Sequence, residues 1–150
     1  MSSPRLRIPI RRLDSELPLP SYAKGGDAAL DLYAAKSMTL KPGERALVPT
    51  GVAVAIPDGF AGFVQPRSGA ALRRGLSMVN SPGLIDSGYR GEIGVVAVNL
   101  DLEEAIEIRR GERIAQLVIL PVASAELVPV DALPESARGA AGFGSTDGHP

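Results

Sequence analysis

The sequence predicts an all-β fold, a barrel or sandwich of jelly-roll type, and three observations support this. Stretches of about five to eight residues with strand-like patterning follow one another along the chain. Turns rich in glycine and proline separate them, and the 150 residues include 17 glycines and 13 prolines. Only residues 66–75 have the composition and flanking signals of a helix. The length is that of one domain, so residues 1–150 are predicted to form a single unit.

The composition argues against several classes of function. The chain has no cysteine, and its one histidine, His149, is the penultimate residue, which disfavours thiolate chemistry, a Ser-His-Asp triad and multi-histidine metal sites. A general base must then be a carboxylate, and a metal must be a hard, oxygen-bound ion such as Mg²⁺. The net charge of −1 gives no field that would attract nucleic acid. No apolar run could span a bilayer and no signal peptide opens the chain, so we expect a cytoplasmic protein without nucleic-acid or membrane partners.

The first third of the chain is predicted to form short strands joined by tight turns. Residues 5–13 alternate between apolar and polar side chains, and Pro9 places this strand at a sheet edge. A glycine turn at residues 24–26 leads into the strand that carries Asp31. Aspartate is a poor strand former, so Asp31 is either simply exposed or present for a functional reason. Further strands are predicted at residues 45–50, 51–56 and 60–65.

The predicted helix spans residues 66–75, with Ser68 as its N-cap and Gly75 just beyond its C-terminus. Arg67, Ser68 and Gly69 place a guanidinium group, a hydroxyl group and free amides together at the helix start. Such a group of donors could bind an anion. Plain helix capping explains the same residues and is the preferred interpretation of this segment taken alone.

Strands are also predicted in the second half of the chain. Residues 93–98 and 113–120 are apolar on both faces and are predicted to be fully buried, partly against other subunits. Gln116 interrupts the second of these strands. Because a buried amide needs hydrogen-bond partners, Gln116 makes either a structural bond or one that holds a water or ligand. The remaining predicted strands are residues 105–109 and 125–130.

Residues 80–91 contain three glycines and one proline between apolar flanks, which predicts a tight turn, most simply a hairpin. Glycine lets the backbone approach a ligand closely, so this turn could read a small planar group. Asp86 could then act as a base or bind a metal-bound water, and Tyr89 could form a flat wall. Alternatively, the asparagine and the aspartate only stabilise local turns.

Residues 134–148 contain too few apolar side chains to fold on their own. They are either a frayed tail or a flexible phosphate clamp. The second interpretation rests on Arg138, on two hydroxyl side chains among the glycines, and on Phe143 as an aromatic lid.

The sequence resembles the trimeric deoxyuridine triphosphatase (dUTP pyrophosphatase) family over nearly its whole length. Five segments are similar, in order, to the five motifs of that family. They are ALDLYA at residues 29–34, PRSG at 66–69, GLIDSGYRG at 83–91, RIAQL at 113–117 and RGAAGFGST at 138–146. Each segment is a weak signal alone, whereas five in the same order at suitable spacing are specific.

The resemblance implies a fold, an assembly and a reaction. The fold would be a distorted jelly-roll or β-clip barrel with one short helix, in a strand-exchanged homotrimer with shared active sites. Residues 134–150 would form a flexible arm that closes over a neighbouring subunit's site. The reaction would be Mg²⁺-assisted hydrolysis of dUTP to dUMP and pyrophosphate by water attack on the α-phosphorus. This reaction lowers dUTP, keeps uracil out of DNA and supplies dUMP for dTMP synthesis.

The resemblance also implies a role for individual residues. Asp86 would position and deprotonate the attacking water, and Tyr89 would pack on the deoxyribose and exclude a 2′-hydroxyl group. Asp31 and Gln116 would hold Mg²⁺ through water molecules. The residues implied in substrate binding are Arg67, Ser68 and Gly69 at the phosphates, Asn80, Gly83, Leu84 and Ile85 at the uracil, Gln116, and Arg138, Phe143, Gly144, Ser145 and Thr146 from the arm.

Two alternative functions use the same scaffold. A dCTP deaminase-like enzyme would need the acidic base that the deaminase family carries on the strand after the 80–91 turn, but residues 93–99 contain no acidic residue. A non-catalytic nucleotide-binding regulator would not need its catalytic carboxylates. The presence of Asp31, Asp86 and Arg138 favours an enzyme.

Overall fold

The computed structural model describes residues 5–144, which form eleven short β-strands and one α-helix. The helix has seven residues and is too short to cross a membrane. In chain order the elements are β1 (Ile10–Arg12), β2 (Leu30–Tyr33), β3 (Met38–Leu40), β4 (Arg45–Pro49), β5 (Val52–Val54), β6 (Phe60–Gln65), α1 (Ser68–Arg74), β7 (Leu76–Met78), β8 (Gly83–Ile85), β9 (Gly94–Asn99), β10 (Ile106–Ile108) and β11 (Arg113–Pro121).

The strands form two larger sheets and two strand pairs, all antiparallel. One sheet has the order β2-β11-β6-β8 and the other has the order β4-β9-β7. The pairs are β1 with β5 and β3 with β10. Neighbours in these sheets are mostly distant in sequence, which is typical of a jelly-roll rather than of simple hairpins.

The core between the sheets is aliphatic. Strand β9 shows how this core is built. Val95 and Ala97 are buried on one face of the strand, while the alternate residues Gly94, Val96 and Val98 are partly exposed. Asn99 on the same face is fully buried, and its Nδ2 donates to the carbonyl groups of Leu40 and Glu104, both at 2.9 Å. The predicted all-β jelly-roll class with one short helix is confirmed.

The helix begins one residue earlier than its predicted cap requires. Ser68 is the first helical residue, while Arg67 occupies the N-cap position in an extended conformation and makes no side-chain capping bond. The prediction of Ser68 as N-cap is therefore wrong, which leaves its hydroxyl group free for other partners. Gly75 ends the helix in the left-handed region at φ 68°, as predicted.

Three other predictions about the strands differ from the structure. Residues 80–91 do not form a hairpin, because β8 within them pairs with β6 while the flanking strands β7 and β9 pair with each other. Strand β9 alternates between buried and partly exposed residues instead of being buried on both faces. Residues 125–130 contain no strand, and Leu127 and Val128 are 90% and 70% exposed.

Candidate active site

A cavity of about 290 Å³ lies beside strand β8, and we call it the β8 cavity. Asp86 directly follows β8, and the Tyr89 amide donates to the Asp86 carbonyl at 3.1 Å. This turn leaves the Asp86 side chain exposed at the cavity. The residues that line the cavity are the predicted Asn80, Gly83, Leu84, Ile85, Asp86 and Tyr89, together with Leu47, Val64, Glu92 and Gly94, which the sequence did not indicate.

Gly83 brings the backbone of β8 close to the Asn80 side chain. A Cβ atom on Gly83 would lie 3.2 Å from Asn80 Nδ2 and 3.6 Å from Val64 Cβ. This approach is tighter than most Cβ contacts, so a side chain at residue 83 would force the Asn80 amide to shift by a few tenths of an ångström. The Asn80 amide and the β8 backbone can therefore present hydrogen-bonding groups to the same small planar ligand.

The Tyr89 side chain is held at one wall of the β8 cavity. Its hydroxyl group donates to the Glu92 carbonyl at 2.9 Å. The ring lies against the backbone of Gly91, where an added Cβ atom would come within 2.7 Å of Tyr89 Cζ. The hydroxyl bond and the contact with Gly91 together hold the ring beside the cavity, while its role as a wall stays a prediction.

A second cavity of about 430 Å³ lies at the start of α1, and we call it the α1 cavity. It is rich in polar groups, because the N-terminal end of the helix and three strands contribute charged, hydroxyl and amide side chains. It contains the predicted Asp31, Arg67, Ser68, Gly69 and Gln116, together with Ala23, Asp27, Ala28, Ala29, Gln65 and Val118.

Asp31 in the α1 cavity is nearly buried and interacts with two arginines. Its Oδ1 lies 3.4 Å from Arg67 Nε, and its Oδ2 lies 3.6 Å from Arg113 Nε. Arg67 Nη1 also donates to the Arg113 carbonyl at 3.3 Å. The carboxylate therefore balances two guanidinium groups, and its burial rules out the alternative that Asp31 is simply an exposed strand residue. Sequence reasoning assigned no specific role to Arg113, although this residue lies in the fourth motif segment.

Gln116 makes the hydrogen bond that its burial requires. Its Nε2 donates to the Pro66 carbonyl at 3.1 Å, which ties β11 to the segment that leads into α1. Gln116 is also the register partner of Asp31 across the β2–β11 pair. Because the side-chain nitrogen of Gln116 makes the bond to Pro66, its side-chain oxygen remains available as an acceptor in the α1 cavity.

The two cavities lie at different places on the four-stranded sheet. The β8 cavity lies along the edge strand β8, whereas the α1 cavity lies where β2, β11 and the end of β6 meet the start of α1. Val64 of β6 lines the β8 cavity, and the next residue, Gln65, lines the α1 cavity beside its register partner Gln116. Within residues 5–144 of one chain, neither of these cavities brings Asp86 together with the predicted residues of the α1 cavity.

Among the predicted residues of the C-terminal arm, those that the structure describes line neither cavity. Arg138 Nε donates to the Ala141 carbonyl at 2.8 Å, and the Phe143 side chain is fully exposed. Gly144 follows with a φ of 82°. Ser145 and Thr146 lie outside the described residues.

The α1 cavity offers few metal ligands of its own. Among residues 5–144, no three histidine, cysteine, aspartate or glutamate side chains come together as a metal cage. Asp31 and Gln116 still provide one carboxylate and one amide oxygen on neighbouring strands. This pair of oxygens fits a Mg²⁺ ion that takes most of its ligands from water and phosphate, which is usual for that ion.

A jelly-roll with a pocket for a planar group beside the edge strand β8 and a polar pocket with arginine, hydroxyl and carboxylate groups at the start of α1 is the arrangement expected of an all-β nucleotide-binding protein. Comparison with known proteins agrees with this class and narrows it. The family model described as dUTPase matches residues 15–147. A deoxyuridine 5′-triphosphate nucleotidohydrolase from Thermobifida fusca (strain YX) is 58% identical over 144 residues, which are 96% of this chain and 80% of that protein.

Two solved structures are also similar. The Staphylococcus bacteriophage 80alpha dUTPase with dUPNHPP superposes with a TM-score of 0.86 at 31% identity, covering 93% of this chain and 98% of that one. A mutant dUTPase of phage phi11 of S. aureus, described with a coordinated structural Mg(II) ion, gives a TM-score of 0.80 at 27% identity, covering 87% of this chain and 100% of that one. The chain belongs to the dUTPase family, as its sequence predicted, and is a dUTP-hydrolysing enzyme of that family.

Proposed function

We propose that this enzyme hydrolyses dUTP to dUMP and pyrophosphate by attack of water on the α-phosphorus, with Asp86 as the general base. The observation that carries this proposal is the position of Asp86. It is exposed at the end of β8, in the same cavity as Asn80 and Tyr89. A carboxylate held there can contact a water molecule beside a nucleotide whose base and sugar fill the cavity.

The reaction needs little covalent participation by the protein. Asp86 accepts a proton from the water as the water oxygen bonds to the α-phosphorus. The bond between the α-phosphorus and the oxygen that bridges to the β-phosphate breaks, and pyrophosphate leaves. Because such phosphoryl chemistry depends mainly on positioning and charge neutralisation, a site without histidine or cysteine is sufficient.

The β8 cavity would bind the deoxyuridine part. The amide of Asn80 and the backbone at Gly83, Leu84 and Ile85 would read the polar edge of uracil. The Tyr89 ring, held against Gly91, would pack on the deoxyribose and leave no room for a 2′-hydroxyl group. Such a site would distinguish dUTP from UTP by steric exclusion of the 2′-hydroxyl group, which requires that the Tyr89 ring stays in place.

The α1 cavity would bind the triphosphate. The Arg67 guanidinium group, the free Ser68 hydroxyl group and the Gly69 backbone would contact phosphate oxygens. Asp31 and Gln116 would hold Mg²⁺ through water molecules. When bound, Mg²⁺ neutralises phosphate charge and makes the α-phosphorus easier to attack. The contact between Arg67 and Asp31 is long at 3.4 Å, so phosphate oxygens can compete for Arg67.

We further propose that the enzyme is a strand-exchanged homotrimer with shared sites. The two cavities are separate within one chain, so the β8 cavity of one subunit would meet the α1 cavity of a neighbour. Residues 122–133 expose apolar side chains that include Leu127 at 90% and Leu133 at 84%. Strand exchange between subunits would cover these side chains, because a large exposed group of apolar side chains marks an interface. Residues 134–150 would then form the arm, with Arg138, Ser145 and Thr146 at the γ-phosphate and Phe143 over the uracil.

The proposed cellular role is to lower dUTP, which keeps uracil out of DNA, and to supply dUMP for dTMP synthesis in the cytoplasm. A pyrophosphate-release assay with dUTP, dTTP, dCTP and UTP in the presence of Mg²⁺ tests the activity. We expect rapid release from dUTP and very slow release from the other three. Ammonia release from dCTP would indicate a deaminase instead, and binding of dUTP without any turnover would indicate a regulator.

A further inference from the structure

The Tyr89 ring depends on residue 92 for its position. The only hydrogen bond of the Tyr89 hydroxyl group within residues 5–144 goes to the Glu92 carbonyl, at 2.9 Å. The ring is packed so closely on Gly91 that a Cβ atom there would lie 3.1 Å from Tyr89 Cε2 and still closer to Cζ. A shift of the backbone at residues 91 and 92 would therefore move the wall that faces the sugar.

The Glu92 side chain fixes that backbone to a distant part of the fold. Its Oε1 accepts a hydrogen bond from the Gly51 amide at 2.9 Å. Gly51 is buried in a left-handed conformation at φ 72°, and an added Cβ atom would lie 2.8 Å from Asp14 Cβ. The Gly51 carbonyl also accepts from the amides of Leu13 and Asp14. Gly51 is thus a rigid anchor, and Glu92 links it to the loop that carries Tyr89.

The next residue is anchored without the help of Glu92. The Ile93 amide donates to the Val52 carbonyl at 2.9 Å, and the Ile93 carbonyl accepts from Thr50 Oγ1 at 2.6 Å. Loss of the Glu92 carboxylate would leave these bonds intact and the start of β9 in place. The freedom gained would be confined to the loop before Ile93, which contains Tyr89 and Asp86.

We infer that Glu92 is a positioning residue for sugar selection: through Gly51 it holds the Tyr89 wall in the place that excludes a 2′-hydroxyl group. The inference rests on the proposed role of Tyr89 and adds Glu92, which lines the β8 cavity outside the motif segments. It predicts that the Glu92 carboxylate affects the choice between dUTP and UTP more than it affects dUTP turnover.

The test measures kcat/KM for dUTP and for UTP in the wild type, Glu92→Ala and Glu92→Gln. Glu92→Ala should lower the dUTP/UTP preference by about fivefold, the scale of one lost hydrogen bond, with kcat for dUTP changed less. Glu92→Gln keeps an acceptor for the Gly51 amide and should preserve the preference. Glu44→Ala is the matched control, because Glu44 Oε2 accepts the Lys41 amide at 2.8 Å in a turn that borders neither cavity.

A Tyr89→Ala background separates this inference from the proposed role of Tyr89. Because residues that act through one another are not additive, Glu92→Ala should have no further effect on the preference once Tyr89 is removed. An unchanged preference in Tyr89→Ala would refute the role of Tyr89 itself. A lowered preference in Tyr89→Ala with a normal one in Glu92→Ala would refute only the role of Glu92. If Glu92→Ala does not fold, Glu92→Asp, which retracts the carboxylate by one methylene, replaces it under the same criteria.

Discussion

Asp31 Oδ1 lies 3.4 Å from Arg67 Nε in the α1 cavity, and Arg113 approaches the other oxygen of the same carboxylate. The side chain of Asp31 is 12% exposed, so this charge is largely removed from water and needs its cationic neighbours. The proposed role of Asp31 toward Mg²⁺ therefore competes with its role toward the two arginines. This relationship leads to the first prediction.

Asp31→Asn should raise the Mg²⁺ concentration that gives half-maximal activity. Outer ligands of this kind typically change metal affinity by about 10- to 100-fold. A magnesium titration at saturating dUTP measures the shift. Asp27→Asn is the matched control, because Asp27 lines the same cavity but accepts the Lys24 amide, a bond that asparagine can keep. An unchanged magnesium requirement together with a raised KM for dUTP would assign Asp31 to the arginines alone.

Asp86→Asn should bind dUTP almost normally and turn it over slowly. Loss of a general base typically lowers kcat by about 10²- to 10⁴-fold. Single-turnover kinetics and equilibrium binding of dUTP separate the two effects. Asp58→Asn, in an exposed turn outside both cavities, should behave as the wild type. A near-normal rate in Asp86→Asn would remove Asp86 from the role of base.

Gly83→Ala should raise KM for dUTP, since the new methyl group would displace the Asn80 amide that lies 3.2 Å from its position. The loss of one good hydrogen bond to the uracil should raise KM for dUTP by about three- to tenfold. Gly88→Ala is a close control from the same loop, because a Cβ atom there meets no heavy atom within 4 Å. Equal KM values in the two variants would show that the close approach at Gly83 does not matter for binding.

Asp14→Asn should destabilise the protein at neutral pH but not in acid. The side-chain hydrogen bonds from Arg110 hold the pKa of the Asp14 carboxyl group below its ordinary value of 3.8. A pKa lowered in the folded state stabilises the protein above the ordinary value, and this contribution disappears as the pH falls through the folded-state pKa.

Thermal unfolding from pH 7 to pH 3 measures this effect. The Tm of Asp14→Asn should lie below that of the wild type at pH 7, and the gap should narrow toward pH 3. Asp58→Asn should show no gap at either pH, since that carboxylate makes no ion pair within the described part of the chain. A gap that stays constant down to pH 3 would contradict the ionic origin of the effect.

The sequence predicted those parts of the fold that depend on local chemistry. Turns rich in glycine were predicted between the strands, and Gly43, Gly59 and Gly111, which lie between predicted strands, all adopt positive φ. The helix end at Gly75 follows from the same rule. The motif segments also placed Asp86 and Tyr89 correctly on one tight loop, because that loop is only a few residues long.

Long-range pairing was not accessible to the same reasoning. The apolar flanks of residues 80–91 favour a hairpin, but β8 pairs with β6, and local patterning does not identify the partner of a strand. Asp31 and its partners Arg67 and Arg113 are distant in sequence, so no periodicity indicates their ion pairs. Residues 125–130 have strand-like patterning without a strand partner in the described part of their own chain, and the proposed exchange between subunits would supply one.

The central claim is that each active site combines the β8 cavity of one subunit with the α1 cavity of another. The most direct test is to mix two inactive variants, Asp86→Asn and Arg67→Ala, by joint unfolding and refolding at equal concentration. Each variant damages one cavity and leaves the other intact, so sites formed between unlike subunits can regain both. Random assembly of a homotrimer should restore about a quarter of the wild-type dUTP hydrolysis per site. Activity no greater than the sum of the separate variants would show that both cavities act within one subunit and would contradict the shared site.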